Sequence, residues 1–396
     1  MHLRTAIITI VLILGFPRSA RVDSKTVINI LTACAAFGPD GGWATVTVDA
    51  RKVTLEITTG TGVVSSLSLP LRYPAPDNGP TGTRFYSCKA YFDNGNDLIA
   101  VAVSGGFPMR GLQVGVADTK QLKWTGDWGV EPTSGISQPS LSGFLQDTTS
   151  VVIAGEPSTK DGHGIQHGSL WTLLFDLHGQ QLNSVPTQRN YSSASSDIPF
   201  FTDANHNRLW FFPCVLTDAP ISRQPDCPVG WTTLTGDAAP SSEFNPRISG
   251  EKRADFWMRP NTIAAPNENT VFIADTVLGV HSIWLVDIQE HTLNRLTIPK
   301  RRHFPNFYET RGAAAVSRDG EVAAFSLAKG AVAFPYLTDN YVYTGEDIAV
   351  VQLHPLQLLG ILAGGPFAVD HRGSKARVLV YRKDHWERHE FADTHS

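Results

Sequence analysis

The sequence predicts an all-β chain folded as a β-propeller, and three observations carry this. A hairpin unit, clearest as AAAVSRDGEVAAFSL at residues 313–327, recurs along the chain. A second unit, an apolar strand ending at Asp with a Leu six residues on, recurs between the hairpins. The composition is the third: 34 Gly and 25 Pro among 396 residues, with 42% hydrophobic and 18% charged residues, suit many short strands joined by tight turns. Beyond the N-terminus no apolar pattern at i, i+3, i+4, i+7 is sustained, so long amphipathic helices are not expected.

The chain opens with His2 and Arg4 before an apolar run at 6–16, AIITIVLILGF. That run is too short to span a bilayer and has the length of a signal-peptide core. Pro17, Arg18, Ser19 and Ala20 follow, and cleavage after Ala20 is expected, although Arg18 fits poorly at its position before the cut. The predicted organisation is a signal peptide over 1–20 and a single propeller domain over 21–396, exported to a periplasmic or extracellular compartment. Membrane attachment is expected only if the signal stays uncleaved or if Cys34 is lipidated. Leu31, Thr32, Ala33 and Cys34 resemble a bacterial lipobox, but Arg18, Arg21, Asp23 and Lys25 separate them from the apolar run.

Outside the cytosol four cysteines are expected to pair. Cys214 and Cys227 lie in one Pro-rich stretch, PCVLTDAPISRQPDCP, and are read as a local disulfide. That leaves Cys34 with Cys88, although three connectivities are open.

A strand is expected at 27–31. Strands at 44–48 and 53–58 flank a turn led by Asp49, with the alternating Val, Thr and Ile of a half-buried hairpin. The hairpin unit then recurs at 91–103, 144–154, 200–212, 263–274, 313–327 and 367–381. In the clearest copy Asp319-Gly320 makes the turn, because Gly accepts the positive φ that such turns demand. Turn positions 49, 93, 146, 203, 266, 317 and 370 define seven units, or six if the first is set aside. The second unit reads SLWTLLFDLHGQQL at 169–182 and SIWLVDIQEHTL at 282–293, with a shorter version at 112–122 and one without the Asp at 348–358. These are read as the outer two strands of each four-stranded blade. One such sheet cannot bury both faces alone, and packing neighbours around an axis buries them. The last unit ends after three strands at 386–391, so residues 27–31 are expected to supply its fourth and close the ring. A Cys34–Cys88 bond would pin that closing segment to the second blade.

SRDGEVAAFS at 317–326 resembles the S-x-D-G-x-x-I-A-F element of TolB-type, WD40-like propeller repeats. SIWLVDIQEHTLNRLT at 282–297 resembles their I-W-V-x-D and L-x-R-L-T strands. The resemblance covers structural repeat residues, so it implies the fold and no catalytic residue.

Function is expected in the long loops between second and third strands (104–111, 155–168, 213–230, 328–346) and between blades (60–84, 126–139, 186–199, 236–259, 300–311), on the face opposite the short turns. Lys300, Arg301, Arg302 and His303, with Tyr308, Glu309 and Arg311, form one cluster. Arg247, Glu251, Lys252, Arg253, Asp255, Trp257 and Arg259 form a second. Arginine binds carboxylate or phosphate in bidentate fashion, so two such loops would make a site for an anion or acidic partner. The plainer reading is a solvated rim of weak ion pairs. Asp161, His163 and His167 in KDGHGIQHG have metal-ligand chemistry but no helix to align them and no strong third ligand. Trp171, Trp210 and Trp284 are read as core between blades.

A net charge of −4, from 33 basic and 37 acidic residues, argues against wholesale nucleic-acid binding. The sequence has no G-x-S-x-G elbow, P-loop, G-x-G-x-x-G before a helix, or C-x-x-C-H haem site. The leading expectation is therefore an exported, non-catalytic propeller that uses no cofactor and binds a protein or anionic ligand at its loop-rich channel face. The alternative is an exported hydrolase, lyase or lactonase with a metal or acid site at the channel mouth, with Glu309, Asp255 and His163 as the residues to test. A structural envelope protein without a small ligand is the third reading.

Overall fold

The computed structural model describes residues 32–49, 51–74, 86–95, 97–105, 111–131, 139–146, 150–155, 166–168, 171–186, 191–193, 200–203, 206–211, 229–234, 243–244, 260–277, 280–290, 292–298, 306–332 and 341–393. The described residues form antiparallel meanders in chain order. The first sheet holds β1 (Thr32–Phe37), β2 (Trp43–Val48), β3 (Lys52–Thr58) and β4 (Val64–Pro70). The second holds β5 (Tyr86–Phe92), β6 (Leu98–Gly105), β7 (Leu112–Asp118) and β8 (Lys123–Val130). The third combines β9 (Ser140–Phe144), β10 (Val151–Gly155), β12 (Trp171–Phe175) and β13 (Gln181–Pro186), while β11 (Gln166–Gly168) and β14 (Tyr191–Ser193) pair separately. The fourth has β15 (Phe200–Asp203), β16 (Arg208–Phe211), β17 (Val229–Thr233) and β18 (Glu243–Phe244). The fifth has β19 (Pro260–Ala264), β20 (Thr270–Val277), β21 (Val280–Asp287) and β22 (Thr292–Ile298). The sixth has β23 (Asn306–Val316), β24 (Val322–Val332), β25 (Tyr341–Leu353) and β26 (Leu356–Ala363). The last has three strands, β27 (Phe367–Arg372), β28 (Lys375–Arg382) and β29 (His385–Ala392).

Each sheet packs on the next through its inner strands: β1 on β5, β5 on β9, β9 on β15, β15 on β19, β19 on β23 and β23 on β27. The β27 strand in turn packs on β1. This is a β-propeller.

Strand periodicity explains why the second strands read as unbroken apolar runs. Side chains alternate between faces, and here both faces are covered. In β6, Ala100 and Ala102 pack toward the third sheet, while Ile99, Val101 and Val103 pack toward the first. In β24, Ala323, Phe325 and Leu327 face the fifth sheet, while Val322 and Ala324 face the last. Trp210 and Trp284 are fully buried, and Trp171 packs on the core between the second and third sheets, as expected of inter-blade aromatics. Outer strands alternate half-buried and exposed residues, as in β4 and over most of β29.

The turns are built by short polar side chains bonding nearby backbone. Asp93 Oδ1 accepts from the backbone N–H of Asp97 at 2.9 Å and of Leu98 at 3.0 Å. Ser317 Oγ accepts from Val322 N–H at 3.0 Å. In the second, third and fifth sheets the Asp at the end of the third strand does the same work at the next turn: Asp118 for Lys120 and Gln121, Asp176 for His178 and Gln180, and Asp287 for Glu290. Gly320 has φ +74, and a Cβ there would stand 2.5 Å from the carbonyl oxygen of Pro266 in the neighbouring sheet.

Two turn positions need correction. Asp370, expected to open its turn, lies within β27 opposite Arg377, and the last sheet turns at 373–374. The Asp49 turn joins β2 to β3, whereas the turns at 93, 203, 266 and 317 join first strands to second. The matching turn of the first sheet is at residues 38–42, where Asp40 Oδ1 accepts from Gly42 N–H at 2.8 Å and Gly41 has φ +87. The first strand escaped notice because TACAAF is made of small residues with little strand propensity. Residues 27–31, expected as the closing strand, lie outside the described residues. Cys34 and Cys88 form a disulfide across the first two sheets. The sulfur of Cys34 is thereby taken, and none is left for a lipid thioether. Cys214 and Cys227 lie outside the described residues.

Candidate functional site

The inner strands surround a cavity of about 930 Å³. Its walls come from β1, β5, β9, β23 and β27, and many of the residues that line it are small: Ala33, Ala35, Ala90, Ala314, Ala315 and Ala368. Strands converge at the axis, so only small side chains leave space there. Phe37, Tyr91, Phe92, Phe144 and Phe367 add aromatic surface, and Ser87, Ser142 and Ser326 contribute hydroxyls. Amphipathic walls with a few polar groups are typical of small-ligand sites.

One end of this cavity, formed by the turns between first and second strands, is charged. It carries Asp93, Asn94, Asp203, His206, Arg318, Asp319, Asp370, His371, Arg372 and Arg377. Each carboxylate already has donors. Asp93 accepts the two backbone N–H groups named above. Asp203 Oδ2 lies 2.6 Å from His206 Nδ1. Burial raises the pKa of Asp203, against the opposing pull of His206 and Arg208. Asp370 pairs with Arg377, whose guanidinium lies 5.4 Å from the Phe37 ring centre.

Asp319 belongs to a longer chain of contacts. Ser317 Oγ donates to Asp319 Oδ1 at 2.7 Å. Asp319 Oδ2 lies 2.6 Å from His371 Nδ1, and His371 Nε2 lies 3.1 Å from Asp393 Oδ2. Desolvation pulls the His371 pKa down, but hydrogen bonds and charge from both aspartates outweigh it, and the net shift is upward. A doubly donating imidazolium between two carboxylates ties the sixth sheet, the last sheet and the C-terminal residues together. The Ser317 hydroxyl donates to a carboxylate and not to the imidazole, so this is not a nucleophile with its base.

The arginines differ from one another. Arg318 Nη2 donates to the Asp93 carbonyl oxygen and to Asn94 Oδ1, each at 3.0 Å. The bridge runs from the sixth sheet to the second, which the last and first sheets separate in the packing order. Both acceptors are uncharged. Desolvation by the surrounding turns lowers the Arg318 pKa, partly offset by the charges of Asp93 and Asp370. Arg372 Nη1 likewise donates to a carbonyl oxygen, that of Asp40.

Of the residues expected to form a site, Arg301, Arg302, His303, Arg253, Asp255, Trp257, Arg259, Asp161 and His163 lie outside the described residues. Tyr308, Glu309 and Arg311 fall on β23 rather than in a loop, with Tyr308 opposite Lys329 and Glu309 opposite Ala328. The reason is local: NFYET is a strand-forming run that extends the sheet. His167 is also on a strand, opposite Ser192 in the β11–β14 pair. Among the described residues no group of three or more His, Cys, Asp or Glu is placed to hold a metal. The charged end of the cavity lies on the short-turn face, the one expected to be opposite the functional face. Arg318, His371 and Arg377 were missed because they sit in or beside turns that read as repeat punctuation. An arginine inside S-R-D-G, where the repeat asks only for a turn residue, was the available signal.

No protein-family model matches the chain, and no curated protein sequence matches it significantly. Among solved structures it is similar to the β-propeller domain of the Trilobed protease from Pyrococcus furiosus, at 8% identity and a TM-score of 0.46, covering 91% of this chain and 93% of that one. It is similar to the Dos1 propeller at 13% identity and a TM-score of 0.41, covering 92% and 84%. It also resembles prolyl oligopeptidase B from Galerina marginata at 10% identity and a TM-score of 0.46, covering 88% of this chain and 47% of that one, so it spans about half of the peptidase. The sheet order, not these distant likenesses, carries the fold assignment.

Proposed function

We propose that this chain is an exported binding module: a propeller of seven blades, TolB-like in its repeats, that takes a ligand in its axial channel without chemically changing it. The observation that carries this reading is the cavity of about 930 Å³, apolar and aromatic along its walls and charged at one end. The apolar run at 6–16 and the Cys34–Cys88 disulfide favour an oxidising compartment. The Ser317–Asp319–His371–Asp393 chain favours a structural role for the histidine over a catalytic one, because its two ring nitrogens are both engaged by carboxylates.

The test is native mass spectrometry of the mature protein after incubation with an extract of its own compartment, alongside Ala35→Phe, which narrows the channel. Retention of a small molecule by the parent and its loss in the folded variant are expected. Equal retention by both would remove the channel as the site. Release of a chemically altered molecule would overturn the non-catalytic reading and bring the hydrolase or lyase alternative forward.

A further inference from the structure

This inference rests on the channel-binding reading above and concerns what the channel recognises. The charged end holds more carboxylates than arginines, yet the carboxylates are the groups with partners. Asp93 is held by backbone N–H groups, Asp203 by His206, Asp319 by Ser317 and His371, and Asp370 by Arg377. Arg318 and Arg372 each serve neutral oxygens instead. Arg372 bonds the Asp40 carbonyl oxygen at the seam of the first and last sheets, whereas Arg318 reaches across the cavity end to the second sheet. A guanidinium has five N–H donors. Its Nη2 serves two neutral oxygens, and among the described residues neither Nη1 nor Nε donates to anything. It therefore presents a cation with spare donors to the cavity, and no carboxylate touches it.

We propose that Arg318 anchors the single carboxylate of an amphipathic organic acid whose apolar body lies along the Ala- and Phe-lined channel. One carboxylate oxygen accepts from Nη1. The other takes the Nη2 hydrogen now given to Asn94 Oδ1, completing a two-point fork. Asn94 is exposed at the mouth and is free to turn aside. A neighbouring carboxylate sets the charge that is tolerated. Asp93, held by neutral backbone N–H groups rather than by a cation, lines the same end and repels a second negative charge, so a monocarboxylate is favoured over a phosphate dianion. The aromatic side chains favour an acid with a ring or chain over a small inorganic anion.

The experiment uses the mature protein and three probes of one shape: phenylacetate, phenylacetamide and phenyl phosphate, measured by calorimetry. The parent is expected to bind phenylacetate about tenfold tighter than the amide, the scale of one exposed charge-assisted fork. Arg318→Gln is expected to abolish that preference. Asn94→Asp leaves Arg318 in place but gives it a permanent carboxylate, and it too is expected to abolish the preference. Matching unfolding curves for both variants exclude misfolding. A parent that binds amide and acid equally, or an undiminished preference in Arg318→Gln, would overturn the anchor and leave the channel site standing. Tighter binding of phenyl phosphate would overturn the monocarboxylate selectivity. If no probe binds the parent while Ala35→Phe still loses the native ligand, the anchor falls and the channel reading survives. If Ala35→Phe also retains that ligand, both fall.

Discussion

The seam between the first two sheets and the two seams of the last sheet are built from different materials. Between the first and second sheets, Val46, Val53 and Leu55 meet Ile99, Val101 and Val103 in a continuous apolar layer. The Cys34–Cys88 disulfide crosses the same seam and ties strand to strand. The last sheet also buries apolar residues, among them Val378 and Val380 against Ala324 and Val350. Its turn end, however, is held by charge. Asp319, His371 and Asp393 clamp it to the sixth sheet, and toward the first sheet Arg372 bonds the Asp40 carbonyl oxygen while Arg377 lies over Phe37. Arg388 lies 5.9 Å from the Trp43 ring centre on that side too. The first contrast is therefore between contacts that ignore pH and salt and contacts that answer to both.

Removing the covalent tie breaks the comparison most directly. The disulfide closes a separation of 54 residues. By chain entropy its loss in a Cys34→Ser, Cys88→Ser variant should cost about 4 kcal/mol. Urea unfolding of both proteins checks this, and a loss under about 1 kcal/mol would mean that the apolar layer alone carries the seam. Arg377→Ala attacks the other side. It leaves Asp370 without its guanidinium in a nearly buried place and should cost about 3 kcal/mol. Hydrogen exchange should then quicken in β27 to β29 while β2 and β3 stay protected. Equal quickening in both would show that the seams do not behave separately.

Titration sharpens the contrast with a smaller effect. The folded pKa of His371 is raised, so its contribution is complete below the unfolded value of about 6.5 and is lost as pH rises through the folded value. Thermal stability should fall by about 1 kcal/mol from pH 6 to above that raised value, allowing for the exposure of Asp319. His371→Gln should flatten the slope. An unchanged slope in that variant would assign the pH response to another group.

The sequence showed the architecture well where strands are apolar and turns are polar. The hairpins at 93, 203, 266 and 317, and the outer pairs ending at Asp176 and Asp287, all read true because buried second strands and polar turns leave strong local patterns. The innermost first strand did not, since a strand lining a cavity is selected for smallness and TACAAF carries no alternation. The site was less legible still. Arg318 is one arginine among many until the fold sets it beside Asp93 and Asn94, residues 225 and 224 positions away. Charge-rich loops drew attention by composition, whereas here the recognisable feature is a cation whose hydrogen-bond acceptors are neutral. That is a property of space, not of sequence.

The packing of β27 on β1 has a consequence for the order of events in time. Within each sheet, partners are near in sequence and can form as soon as their hairpins exist. The Arg372–Asp40 contact joins residues 332 positions apart, so it must wait for nearly the whole chain. During synthesis, the flank of β1 that will meet the last sheet stays open the longest. It is therefore the surface through which an incomplete molecule is most exposed to wrong partners.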